Sequence, residues 1–214
     1  YRPMWIEIDL DKLAHNIKEI RRIINPDTKY ISVVKADAYG HGAVEAAKVC
    51  MECGVDMLAV SMLDEALELI QSGIKGDILI LGYTPPNASD MVVQNGIIQT
   101  CYSYGLAKAL SDSAVKLGKT ARIHIAVDTG MSRIGFQTKY EDVLEIRKIS
   151  ELPNLKIEGI FTHFASADSS DREYTKQQYK KFNEFLNKLS SLKIDVGMKH
   201  ASNSAGVLNF PDLD

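Results

Sequence analysis

Apolar residues recur along this chain in short unbroken runs, each followed by a longer stretch in which they return every three or four positions. "YISVVK" (30–35), "DMLAVS" (56–61), "DILILGY" (77–83), "IIQTCY" (97–102), "RIHIAVD" (122–128), "KIEGIFTH" (156–163) and "VGMKHAS" (196–202) are runs of the first kind. Helical patterns fill 43–53, 63–72, 88–94, 107–117, 140–150 and 172–189, and another begins after 202. Runs without alternation read as strands buried on both faces, and helices between them make those strands parallel. Seven strand–helix repeats predict an α/β fold of the (β/α)8 barrel type. The open doubly wound sheet is the alternative, but no G-x-G-x-x-G follows the first strand to support it. With seven staves counted and the last residues close behind the seventh, the barrel is expected to be truncated before its eighth strand.

The amino-terminal stretch follows a different rule. "WIEIDL" (5–10) alternates apolar and charged residues, which predicts a half-exposed strand within residues 1–9, outside the barrel. Asp9 then suits a helix cap, with Leu10, Leu13, Ile17, Ile20 and Ile24 on one face and Asn25-Pro26 as the stop. The first residue is Tyr1 and not Met, so removal of preceding residues is expected.

Composition narrows the function classes. A formal charge of −3 offers no footprint for nucleic acid or anionic membrane, and no apolar run is long enough to span a bilayer. The 214 residues suffice for one large domain with a real core, and no linker or low-complexity tract divides them. Cys50, Cys53 and Cys101 form no disulfide framework and point to a reducing, cytoplasmic setting. "CMEC" (50–53) lies inside a helical run with no second Cys/His pair, so packing outweighs metal chemistry there, and no metal site is expected.

In a parallel barrel, chemistry gathers at the carboxyl ends of the strands. Lys35 ends the first run, Arg133 follows the fifth, His163 ends the sixth and His200 the seventh. A lysine drawn into an apolar mouth favours its neutral, nucleophilic amine, which can condense with a carbonyl compound; the plainer reading is a lysine reaching out to water. Tyr39, between Asp37 and the glycines Gly40 and Gly42, can offer a phenol and open backbone to an anionic group. Asn203 and Ser204 stand where a helix begins and can meet a phosphate, although a simple helix cap explains Asn203 as well. Arg133, in "DTGMSRIGF" (128–136), can bind a phenolate or a carboxylate; a surface ion pair is the plainer reading. His163 can lie against a planar ligand or be a satisfied core histidine.

"VVKADAYGHG" (33–42), "DTGMSRIGF", "THFASAD" (162–168) and "HASNSAG" (200–206), together with "WIEIDLDKLAHN" (5–16), resemble the N-terminal barrel of bacterial alanine racemases over essentially the whole chain. The resemblance implies that Lys35 holds pyridoxal 5′-phosphate as a Schiff base and serves as one of two bases that interconvert L- and D-alanine for cell-wall precursors. Tyr39, Asn203 and Ser204 would help hold the phosphate. Arg133 would meet the cofactor phenolic oxygen and the substrate carboxylate, and His163 would lie against the pyridine ring.

The same resemblance implies a homodimer whose second base is a tyrosine of a C-terminal β-domain absent from these 214 residues. The chain alone is therefore expected to be inactive or weak. Many relatives carry a carbamate-bearing lysine where this chain has Ala126, which cannot offset Arg133 and leaves room for a bound anion. Two other readings fit the same residues: a serine racemase of the family, or a single-barrel protein that binds pyridoxal phosphate without turnover.

Overall fold

A computed structural model describes residues 3–213. They divide into two compact units, one running to Gly82 and one beginning at Tyr83. Both repeat strand and helix, and every observed strand falls on a predicted apolar run.

The first unit begins with helix α1 (Leu10–Ile23), capped by Asp9, whose carboxylate accepts the Lys12 N–H at 3.1 Å. Strands β1 (Ile31–Val33), β2 (Met57–Val60) and β3 (Asp77–Ile80) pair in parallel, with Ile31 opposite Met57 and Met57 opposite Asp77. Helix α2 (Ala43–Glu52) connects the first two strands and α3 (Leu63–Gln71) the next two. All four residues of β2 are buried, which is why its sequence shows no alternation. Arg21 ties α1 to the strand layer, donating to Thr28 O, Gly54 O and Asp56 at 2.6–2.9 Å. Burial opposes the Asp56 charge, but hydrogen bonds from Lys29, the Tyr30 N–H and Arg21 more than offset it and bring the carboxyl down to about 2.

The second unit holds β4 (Ile98–Cys101), β5 (Ala121–Ala126), β6 (Leu155–Phe161) and β7 (Met198–His200), again parallel in sequence order. Its helices are α4 (Ser89–Gln94), α5 (Tyr104–Leu117), α6 (Tyr140–Ser150), α7 (Glu173–Ser191) and α8 (Ser204–Asn209). A bulge in β6 interrupts the ladder: Ile123 pairs with Ile157, but His124 pairs with Gly159. Glu158, the extra residue, turns to Arg122, whose Nε donates to it at 2.7 Å.

The amino-terminal strand is the expectation that fails. Residues 4–9 join no strand ladder among the described residues, and Met4, Trp5 and Ile6 are 77–84 % exposed. Alternation marks a segment able to pair, but residues 4–9 form no ladder with any described strand. Tyr1 and Arg2, the start of that expected strand, lie outside the described residues.

Cys50 is buried on the inner face of α2, within 3.2 Å of the Ser32 hydroxyl, and burial first of all pushes its thiol up. It packs, as its place in a helical run predicts.

Candidate functional site

In the first unit, Lys35 stands two residues beyond the carboxyl end of β1. It is half-buried, and its amine has no hydrogen bond or ion pair among the described residues. The next four residues hold a conformation that the sequence does not announce: Ala36, Asp37, Ala38 and Tyr39 all have φ between 50° and 56°, a left-handed coil built without glycine. L-residues disfavour this region by about 1–2 kcal/mol each, so surrounding bonds must hold it. Ala38 N–H donates to Val34 O at 3.0 Å and Gly42 N–H to Asp37 O at 3.0 Å. The Asp37 carboxylate accepts the Ala43 N–H at 2.6 Å, capping α2 from inside the turn. Gly40 and Gly42, at φ 85° and 87°, extend the turn where a side chain would be strained. Tyr39 is 62 % exposed, and its hydroxyl has no described partner.

Glu65 holds the other side of this turn. One carboxylate oxygen accepts the Ala36 N–H at 2.7 Å; the second accepts the Ser61 N–H at 2.6 Å and the Ser61 hydroxyl at 2.7 Å. Burial raises its pKa, but these bonds and the Met62 N–H outweigh burial and hold the carboxyl below its ordinary value.

In the second unit, three loops beyond β5, β6 and β7 are stitched together. Asp128 organises the first by accepting the Gly130 and Ser132 N–H groups, each at 2.9 Å. Arg133 projects from this loop, exposed and without an ion pair among the described residues. Gln178, buried on α7, joins the first loop to the second. Its amide donates to Thr129 Oγ1 at 3.3 Å and to His163 O at 3.1 Å, and its carbonyl accepts the Ala165 N–H at 2.9 Å. The Thr129 and Thr162 hydroxyls meet at 2.7 Å. Asn203 joins the second loop to the third: Nδ2 donates to Phe164 O at 3.2 Å while Oδ1 caps α8 through the Gly206 N–H at 2.9 Å. The plain helix-cap reading of Asn203 is therefore what its side chain does. Ser204 is the exposed first residue of α8.

His200 ends β7, as expected, but it turns to His124, a residue that sequence reasoning passed over. Nδ1 of His124 lies 3.0 Å from Nε2 of His200, and Phe161 stacks on the His200 ring at 4.8 Å. Loss of hydration, with His124 beside it, pushes His200 down to about 3. Ala126, at the end of β5, is buried, and its carbonyl accepts the Phe136 N–H at 2.9 Å.

Of the residues anticipated from sequence, Arg133, His163 and Asn203 sit on loops bonded to one another, and Lys35 shares its turn with Tyr39. Glu65 and Gln178 were missed. Glu65 carried a faint signal, an acid shortly after Ser61 at a helix start; Gln178 carried none, being one polar residue in a polar helix.

Successive parallel β/α units with polar loops beyond the carboxyl ends of their strands define a barrel-type enzyme scaffold. Comparison with known proteins makes the class specific. The family model described as alanine racemase, N-terminal domain, matches residues 8–214, and the chain belongs to that family. An alanine racemase of Methanococcus maripaludis is 50% identical over 98% of this chain and 56% of its own length. An alanine racemase of Clostridium difficile 630, solved in complex with cycloserine, has a TM-score of 0.97 at 43% identity, covering 99% of this chain and 58% of that one. An alanine racemase of Bacillus anthracis with bound L-Ala-P has a TM-score of 0.90 at 38% identity, covering 98% and 54%. The chain thus spans just over half the length of these relatives. Among the described residues, no helix is long and apolar enough to cross a membrane.

Proposed function

We propose that this chain is the cofactor-bearing part of a pyridoxal 5′-phosphate-dependent racemase that interconverts L- and D-alanine, in a cytoplasmic homodimer supplying cell-wall precursors. The observation that carries the reading is the half-buried Lys35 amine, without a described partner, at the carboxyl end of β1. The names of the similar proteins support the reaction and the substrate.

The residues present fit the cofactor. In the first unit the Lys35 amine and the Tyr39 phenol, and in the second the Arg133 guanidinium, are donors that no described residue takes up; by their chemistry they suit, respectively, an aldehyde, a phosphate and a phenolic oxygen. Lys35 would attach it, Tyr39, Ser204 and the backbone at the start of α8, which Asn203 caps, would hold its phosphate, and His163 would lie along its ring. When bound, the cofactor supplies the conjugated system that accepts the electron pair left at the substrate Cα. Arg133 orients the substrate by its carboxylate, and Lys35, once free, takes or returns the Cα proton on one face. Inversion requires a second base on the opposite face.

The test is borohydride reduction of the pyridoxal-phosphate-loaded protein followed by peptide mapping. Label on the peptide containing Lys35, lost in Lys35→Ala, supports the reading. Label on another peptide, or a visible absorption band that survives Lys35→Ala, overturns it.

A further inference from the structure

Glu65 is the third residue of α3, and an acid at that place ordinarily serves its own helix by accepting the N–H at the helix start. One oxygen does so: Oε2 takes the Met62 N–H at 3.3 Å together with the Ser61 N–H and hydroxyl. The other oxygen leaves the helix altogether. Oε1 accepts the Ala36 N–H at 2.7 Å, reaching the residue directly after Lys35 and the first of the four left-handed residues.

That placement matters because the turn's own bonds begin later. Ala38, His41 and Gly42 are among the donors bonded to backbone carbonyls around it, whereas the Ala36 amide is held from outside, by Glu65. Without that bond, Ala36 would be free to relax toward the right-handed region that an L-residue prefers, and the Lys35 backbone would turn with it. A carboxylate suits the task because it presents two acceptors and no donor; the isosteric amide presents only one acceptor.

We infer that Glu65 is a positioning residue for Lys35: by holding the Ala36 amide against the start of α3, it fixes the left-handed turn and so aims the lysine amine for attachment of the cofactor. The inference rests on the reading of Lys35 as the anchor.

The experiment titrates the intact protein with pyridoxal 5′-phosphate and reads both the visible absorption of the lysine-bound cofactor and the borohydride-trapped label at Lys35. Thermal melting of the cofactor-free protein is followed in parallel. Glu65→Gln should weaken attachment about tenfold or more, the loss expected for one charge-assisted hydrogen bond. Ser61→Ala removes only the hydroxyl bond, on the helix side of Glu65, and should leave attachment at the wild-type level, whatever it does to melting. Adding Ala36→Gly to Glu65→Gln should recover much of the loss, because glycine adopts the left-handed conformation without strain.

Attachment by Glu65→Gln at wild-type strength overturns the inference, as does equal weakening in Ser61→Ala. Should Glu65→Gln not fold, Ala36→Val disturbs the same turn from its other side, and unchanged attachment there overturns the inference equally. Loss of label in Lys35→Ala alongside full attachment in Glu65→Gln removes the role of Glu65 and leaves the anchor standing; label that persists in Lys35→Ala removes the anchor itself.

Discussion

Nδ1 of His124 and Nε2 of His200 share one hydrogen bond of 3.0 Å, so one imidazole donates while the other accepts, and a proton added to the accepting nitrogen breaks the pair. Loss of hydration and the neighbouring His124 keep His200 near 3, against an ordinary value of 6.5. The unfolded chain therefore binds a proton that the folded chain refuses between those two values. Stability is unaffected by this group above 6.5 and falls as pH drops from 6.5 toward 3. Urea midpoints measured from pH 7.5 to 5 should decline, and His200→Gln should flatten the part between 6.5 and 5. A midpoint that stays level in the wild-type protein contradicts this account.

Gly159 lies opposite His124 because the β6 bulge at Glu158 shifts the ladder by one residue. A Cβ on Gly159 would stand 2.7 Å from three atoms of the His124 ring. Gly159→Ala should therefore push the ring aside and destabilise the fold by about 1–3 kcal/mol. Combining it with His124→Ala should cost less than the two single changes added together, a coupling read from a double-mutant cycle in urea.

Gln178 satisfies a carbonyl, an amide and a hydroxyl on two loops at once. Gln178→Leu keeps the bulk but leaves the Ala165 N–H and His163 O without their partner, at a cost of about 2–4 kcal/mol. Equilibrium unfolding measures it directly.

Arg133 is exposed and makes no ion pair among the described residues. Arg133→Ala should thus shift stability by no more than about 0.5 kcal/mol. On the proposed reading, in which Arg133 orients the substrate by its carboxylate, the same change in the racemase that contains this chain should lower kcat/KM for alanine about tenfold or more. Normal kinetics in the variant would remove Arg133 from the site.

The strand–helix rhythm was legible throughout, because strands buried on both faces leave unbroken apolar runs and helices leave periodic ones. Residues 4–9 misled, since alternation records a capacity to pair but does not name a partner. Lys35 and Tyr39 were legible as a motif, but their backbone was not. "ADAY" holds no glycine, and its positive φ angles are held by the distant Glu65 carboxylate together with bonds around the turn, among them that of Asp37, which no local residue preference announces. Gln178 and His124 were invisible for a related reason: each acts on groups 13 to 76 residues away, and nothing local marks such a partner.

The turn after Lys35 has a stereochemical consequence. Four adjacent L-residues there carry the torsions of a right-handed helix reflected in a mirror. A D-alanine introduced by chemical ligation at position 36 or 38 would meet its own preferred backbone basin, and configurational inversion there should relax the chain where elsewhere in its helices it would strain it.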